Sequence, residues 1–168
     1  MTRKISFTTM VWAVACWMVL LTSAALQAQE KMPVTTSSAQ AEEHFNQGLN
    51  KFQAFHFPQA VEHFKKAVEL DPDFAIAYLY LSSAKGRGWL DSKYLDEAVK
   101  VADKASKGEQ HMIHYSKAMY DEDQRAIEKH RNILADMYPR DEIVHQWISY
   151  SYHLEENYPM AIKHLTKA

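Results

Sequence analysis

Cys16 is the only cysteine in the chain, and it sits inside AVACW, within an apolar stretch near the N-terminus. It lacks the preceding leucine that opens a lipoprotein cleavage box, which argues against lipidation. A chain that has shed this stretch has no thiol at all, which excludes disulfides and leaves packing as the source of stability. Glycine is nearly as scarce, with Gly48, Gly86, Gly88 and Gly108 as the full set. Long strands, tight hairpins and glycine-rich phosphate loops therefore have no support. HExxH, a Cys/His cluster, a serine nucleophile elbow and a basic aromatic patch are all missing, so neither an enzyme active site nor a cofactor is implied. An excess of one charge sign is missing as well. Nineteen Lys and Arg face 21 Asp and Glu, a formal net charge of −2, and nothing attracts nucleic acid.

What is present starts with a leader. Arg3 and Lys4 precede the apolar run MVWAVACWMVLLT, and the small residues Ala24, Ala25 and Ala28 follow it, the order of an export signal cleaved after Ala25 or Ala28. Residues 1–28 are thus expected to be a signal peptide, and the protein to be periplasmic or secreted. Thr9 to Leu26 carry no charge, so a single N-terminal membrane anchor is the alternative if the segment stays on. Residues 29–40, QEKMPVTTSSAQ, are polar, small and interrupted by Pro33, and read as a flexible linker.

From Ala41 onward apolar residues recur at helical spacing. The pattern predicts eight helices near 41–54, 58–70, 74–86, 92–106, 109–120, 123–137, 141–155 and 158–168. Pro58 and Pro159 suit a first helical turn, and Asp71-Pro72 and Tyr138-Pro139 stop the helices before them. Amphipathic helices of about 13 residues cannot bury their stripes alone and pair as antiparallel hairpins. The stretch HFPQAVEHFKKA returns as NYPMAIKHLTKA, each matching residue shifted by 101 positions, from Phe57 to Tyr158 for example, which is close to three steps of 34.

With Gly48, Ala60, Phe64, Ala67 and Pro72 in register, residues 41–72 resemble a tetratricopeptide repeat. His145, Ile148, Ser149 and Tyr152 with Tyr158, Ala161, Leu165 and Ala168 form a strong fourth copy. The key alanines of the four copies are read as Ala60, Ala98, Ala126 and Ala161, with an overlong turn KGRGWLDSKY in the second copy and a degenerate third. The resemblance implies an all-α, right-handed α-solenoid of about four hairpins over residues 41–168, apparently truncated in the fourth repeat, and a non-enzymatic protein-interaction scaffold.

The same resemblance implies a concave groove that takes a peptide or partner helix. By slot, the groove presents Phe45, Leu49, Phe52, Leu79, Ile113, Tyr120, Tyr150 and His153. Family members that clamp a terminal carboxylate use Lys and Asn where Phe45 and Leu49 stand, so that mode is disfavoured. Phe45, Leu49 and Phe52 also fit a plain core stripe. Trp89, in the overlong turn, is a loop anchor for a partner or a cover for apolar helix ends. His111 with His114 and His56 with His63 have helical spacing but no accompanying ligand set, so no metal is expected. Two other readings stay open: the docking region of a longer enzyme or sensor, and a self-associating structural subunit of an envelope assembly.

Overall fold

A computed structural model describes residues 31–86 and 89–166. The expected leader with Cys16, the turn residue Gly88, and Lys167 and Ala168 lie outside them. The described residues form eight α-helices: α1 (Ala39–Gln53), α2 (Phe57–Leu70), α3 (Ala75–Lys85), α4 (Ser92–Lys100), α5 (Lys107–Tyr120), α6 (Gln124–Met137), α7 (Glu142–Leu154) and α8 (Tyr158–Leu165). Each packs against the next, and together they form an all-helical solenoid of four hairpins. Among the described residues no helix is long and apolar enough to cross a membrane.

Local chemistry sets the helix starts. Ser38, Asp123, Asp141 and Asn157 each accept a hydrogen bond from a first-turn amide of the helix that follows. Ser106 and Glu109 form a reciprocal capping box on α5. Pro58 and Pro159 stand in first turns, where no amide hydrogen is needed. Helix α4 ends at Lys100, short of the expected residue 106, and continues as a short 3-10 turn, Ala102–Lys104.

The turns inside the hairpins show the repeat more clearly than the alanines do. Phe55, Glu122 and Glu156 all have a left-handed φ, at 59°, 57° and 57°. After each, an amide reaches back five residues to a helix carbonyl: His56 to Lys51 at 2.8 Å, Asp123 to Ala118 at 2.9 Å, Asn157 to Tyr152 at 2.8 Å. This is the glycine-type helix stop built without glycine. From 55 to 122 is 67 residues and from 122 to 156 is 34, so the period is near 34 throughout. The alanine register is corrected accordingly. A step of 34 from Ala60 reaches Tyr94, and a step of 67 reaches Ile127, so Ala98 and Ala126 are not its counterparts. The third hairpin has the same turn as the first and fourth, and is not degenerate there.

The core runs between the hairpins. Phe45 is buried, with its ring centroid 5.7 Å from Phe64, 5.1 Å from Phe74 and 5.4 Å from Tyr80. Gly48 lets the α2 ring in: a Cβ there would lie 2.6 Å from Phe64.

The stretch expected to be a flexible linker is pinned along residues 32–38. Met32 N–H donates to Asp141 Oδ2 at 2.7 Å, and Thr35 N–H to Glu109 Oε1 at 2.9 Å. Ser106 N–H donates to Thr35 Oγ1 at 3.2 Å. The Thr36 hydroxyl and the Ser37 amide both donate to Asp71 Oδ2, at 2.5 and 2.8 Å. These acceptors and donors lie at or just before the starts of α3, α5 and α7, so the segment straps the first helices of all four hairpins along one edge. Composition predicted mobility. The order comes from carboxylates supplied by distant helix starts.

Burial acts to raise the Asp71 pKa, but the hydrogen bonds from Thr36, Ser37 and the Asp73 amide outweigh it, and the net direction is down. A lowered carboxylate stabilises the fold above its unfolded value and loses that contribution as pH falls through the folded value. Asp71→Ala is expected to cost about 1–3 kcal/mol in urea unfolding at neutral pH, to speed amide exchange at Ser37, and to flatten the acid limb of the stability profile.

Candidate functional site

Opposite the strap, at the C-terminal ends of the same helices, lies a cleft of about 470 Å³. Phe52 closes α1, Ser83 lies near the end of α3, Met119 and Tyr120 close α5, and Trp147, Tyr150 and Leu154 line it from α7. The hairpin turns add Phe55, Phe57, Trp89 and Leu90. Two of the lining rings, Phe52 and Trp147, are bridged by the buried Tyr80. Phe52 lies 5.8 Å from Tyr80 at 87°, and Tyr80 lies 5.7 Å from Trp147 at 79°. These edge-to-face contacts join the first, second and fourth hairpins. Burial drives the Tyr80 hydroxyl pKa far upward, so it stays protonated.

The rim is exposed and aromatic. Phe55 is 79% exposed, Trp89 71%, Tyr120 48% and Tyr150 41%. Phe55 also occupies a left-handed conformation that a phenylalanine rarely adopts. At the same turn position the third and fourth hairpins carry Glu122 and Glu156, which suit water. A large apolar ring that is both strained and solvated contributes little to folding. The second hairpin places Trp89 here through a different loop. Ser82 holds this loop by donating its hydroxyl to Asp91 O at 2.8 Å and accepting the Asp91 amide at its own carbonyl at 3.2 Å. The close approach of the Trp89 backbone leaves no room for a Cβ on Gly86.

Among the expected groove residues, Phe52, Tyr120 and Tyr150 line this cleft, and so does Trp89. Phe45, Leu79 and Ile113 do not: they are at most 1% exposed and belong to the core. Their slots face the neighbouring helices, so the core reading of that stripe replaces the groove reading at these three positions. Leu49 is half-buried against the core. His153 is exposed and lines a smaller cleft with Tyr158 and Ile162 at the last hairpin. Slot counting along the first helices missed Phe55, Phe57, Leu90, Met119, Trp147 and Leu154. A phenylalanine in the turn AFHF, where a glycine or a polar residue stops a helix, was the available signal for the first two.

Among the described residues of the cleft lining, Glu122 carries the one formal charge. Its chemistry is that of apolar contact with a few peripheral hydrogen-bonding groups, the indole of Trp89 and the hydroxyls of Tyr120 and Tyr150. Lys117 Nζ sits 5.5 Å from the Tyr120 ring centre and is also paired with Asp121 at 2.6 Å, which fixes that side of the rim.

Phe55→Gly is expected to stabilise the fold by about 1 kcal/mol in urea unfolding, because it removes the left-handed strain and few buried contacts. Loss of stability would show that the ring is structural. No match to a curated protein is found. Residues 41–74, which span α1, α2 and the turn to α3, match the tetratricopeptide repeat family model, and repeats of that family generally mediate binding between proteins.

Proposed function

We propose that the chain is an exported, non-enzymatic interaction scaffold of the cell envelope that captures an apolar segment of a protein partner in the cleft between its hairpin turns. The carrying observation is the rim of Phe55, Trp89, Tyr120 and Tyr150, four large aromatics held in solvent around one opening. Exposed aromatic clusters of this kind are costly for a protein to maintain in water and are the usual anchors of partner binding. The mainly apolar lining among the described residues favours a segment rich in apolar side chains. Apolar burial supplies the affinity, and the hydroxyls and indole at the rim fix orientation. The export signal expected at residues 1–28 supports the envelope location.

A second reading, self-association through the last hairpin, rests on Tyr158, Ile162 and Leu165, which are over half exposed on one side of α8. Light scattering separates it from the first reading. A monomer at micromolar concentration removes it.

The test of the cleft is a library of random 12-residue peptides displayed on phage and panned against the full chain. Enriched clones are expected to carry Trp, Phe or Leu at helical or alternating spacing. They should bind the double variant Phe55→Ala, Trp89→Ala at least about 30-fold more weakly, the loss of roughly 2 kcal/mol that a pair of anchor residues produces. Unchanged helical circular dichroism confirms that the variant is folded. Clones that bind the variant as tightly as the parent would remove the cleft as the binding site.

A further inference from the structure

A feature unrelated to the cleft recurs in three hairpins. His44 faces His63, His111 faces His130, and His145 faces His164, with Nδ1 atoms 3.5, 2.9 and 2.9 Å apart. Each pair is 19 residues apart and joins the first helix of a hairpin to its second. The steps between pairs are 67 and 34 residues, the same steps as the turns. In the second hairpin the equivalent slots hold Tyr78 and Glu97, where burial first and the Glu97 carboxylate second raise the tyrosine pKa. One contact geometry has thus been placed at one position of the repeat three times.

Metal binding does not account for it. Two imidazoles fall short of a closed site, and among the described residues no group of three or more His, Cys, Asp and Glu is arranged to hold an ion. The short Nδ1 to Nδ1 approach instead means that one ring donates its N–H and the other accepts it on a bare nitrogen. The fourth hairpin shows how the roles are set: His145 Nε2 donates to the Pro139 carbonyl at 2.9 Å, which leaves Nδ1 as the acceptor for His164. Such a pair survives with one ring charged. A second proton puts two N–H groups and two positive charges face to face.

We propose that the His111–His130 pair is an acid-labile clasp that holds the two helices of the third hairpin together and releases them as the second ring is protonated. The surroundings of His111–His130 oppose that proton. The titratable groups acting on it are Lys107 and His114 from α5 and Lys129 from α6, all basic, and the His114 ring lies 5.7 Å from His130. Burial first, and then these neighbours, lower His111 and push His130 down to about 4. The fourth pair has a different shell: Tyr152 stacks on His164 at 5.5 Å, Arg131 lies over the Tyr152 ring and Glu155 is paired to that arginine. The sign follows. A histidine lowered in the fold stabilises above its unfolded value of 6.5 and loses that contribution as pH falls from there toward about 4.

The experiment compares urea unfolding of the full chain at about pH 7.5 and about pH 5.0 with that of the double variant His111→Asn, His130→Asn, which can keep a hydrogen bond but does not titrate. The parent's unfolding constant is expected to rise by about tenfold more than the variant's between the two pH values, the effect of about one extra proton taken up on unfolding. A difference under about twofold, or a variant more acid-sensitive than the parent, overturns the proposal. If the variant does not fold, a histidine NMR titration of the parent decides, with the His130 signal assigned by its loss in His130→Asn. A midpoint below about 5.5 supports the clasp, and one at or above that value overturns it.

Discussion

The close approach of two helices within a hairpin is the constraint on which the rest depends. At Gly48 the missing side chain lets the Phe64 ring lie against the α1 backbone. That ring then touches Phe45 and, 5.7 Å away, Tyr80 of the next hairpin. One small residue therefore sets both the hairpin spacing and the surface on which the following hairpin is laid. Curvature accumulates from that step, and it brings Tyr80 of the second hairpin against Trp147 of the fourth. Through that contact Tyr80 links Phe52 and Trp147, two residues that line the cleft.

Helix positions were largely legible in the sequence, because Pro58, Pro159, Asp71-Pro72 and the capping residues act locally. The α-solenoid class was legible for the same reason, since short amphipathic helices with polar stops leave few alternatives. Register within the second and third hairpins was not. A repeat is recognised by its small and aromatic slots, and in the third hairpin the slot of Phe64 belongs to Arg131, 67 positions on. Arg131 fills the space with its stem and lies 3.7 Å from the Tyr152 ring centre, with its charge met by Glu155 at 2.8 Å. An arginine in an aromatic slot satisfies the packing and defeats the pattern.

The site was partly legible for a related reason. Slot counting identifies the face of a helix but not the depth at which each residue lies. Phe45 and Tyr150 stand in comparable helices, yet one is in the core and the other on the rim: Phe45 meets Phe64, Phe74 and Tyr80, while Tyr150 is 41% exposed and lines the cleft. The strap was illegible altogether. Residues 32–38 are polar and small, with no period of their own, and their order is imposed by Asp71, Glu109 and Asp141, which lie up to 109 positions away.

The two edges of the solenoid divide the work. Along the starts of the first helices, backbone and hydroxyl donors of the strap tie four hairpins into one body. At the far ends of the same helices, some 14 residues or about 20 Å away on α5, the turns carry the exposed aromatic side chains of Phe55 and Trp89. A stack of hairpins joined only by nearest-neighbour contacts would flex, and each binding event would have to order the cleft first. Fixing one edge would remove much of that cost in advance, so that in the proposed complex apolar contact at the other edge would go further toward affinity. The strap and the rim share no residue, yet the binding proposed at the rim would draw on the strap's hold on the opposite helix ends.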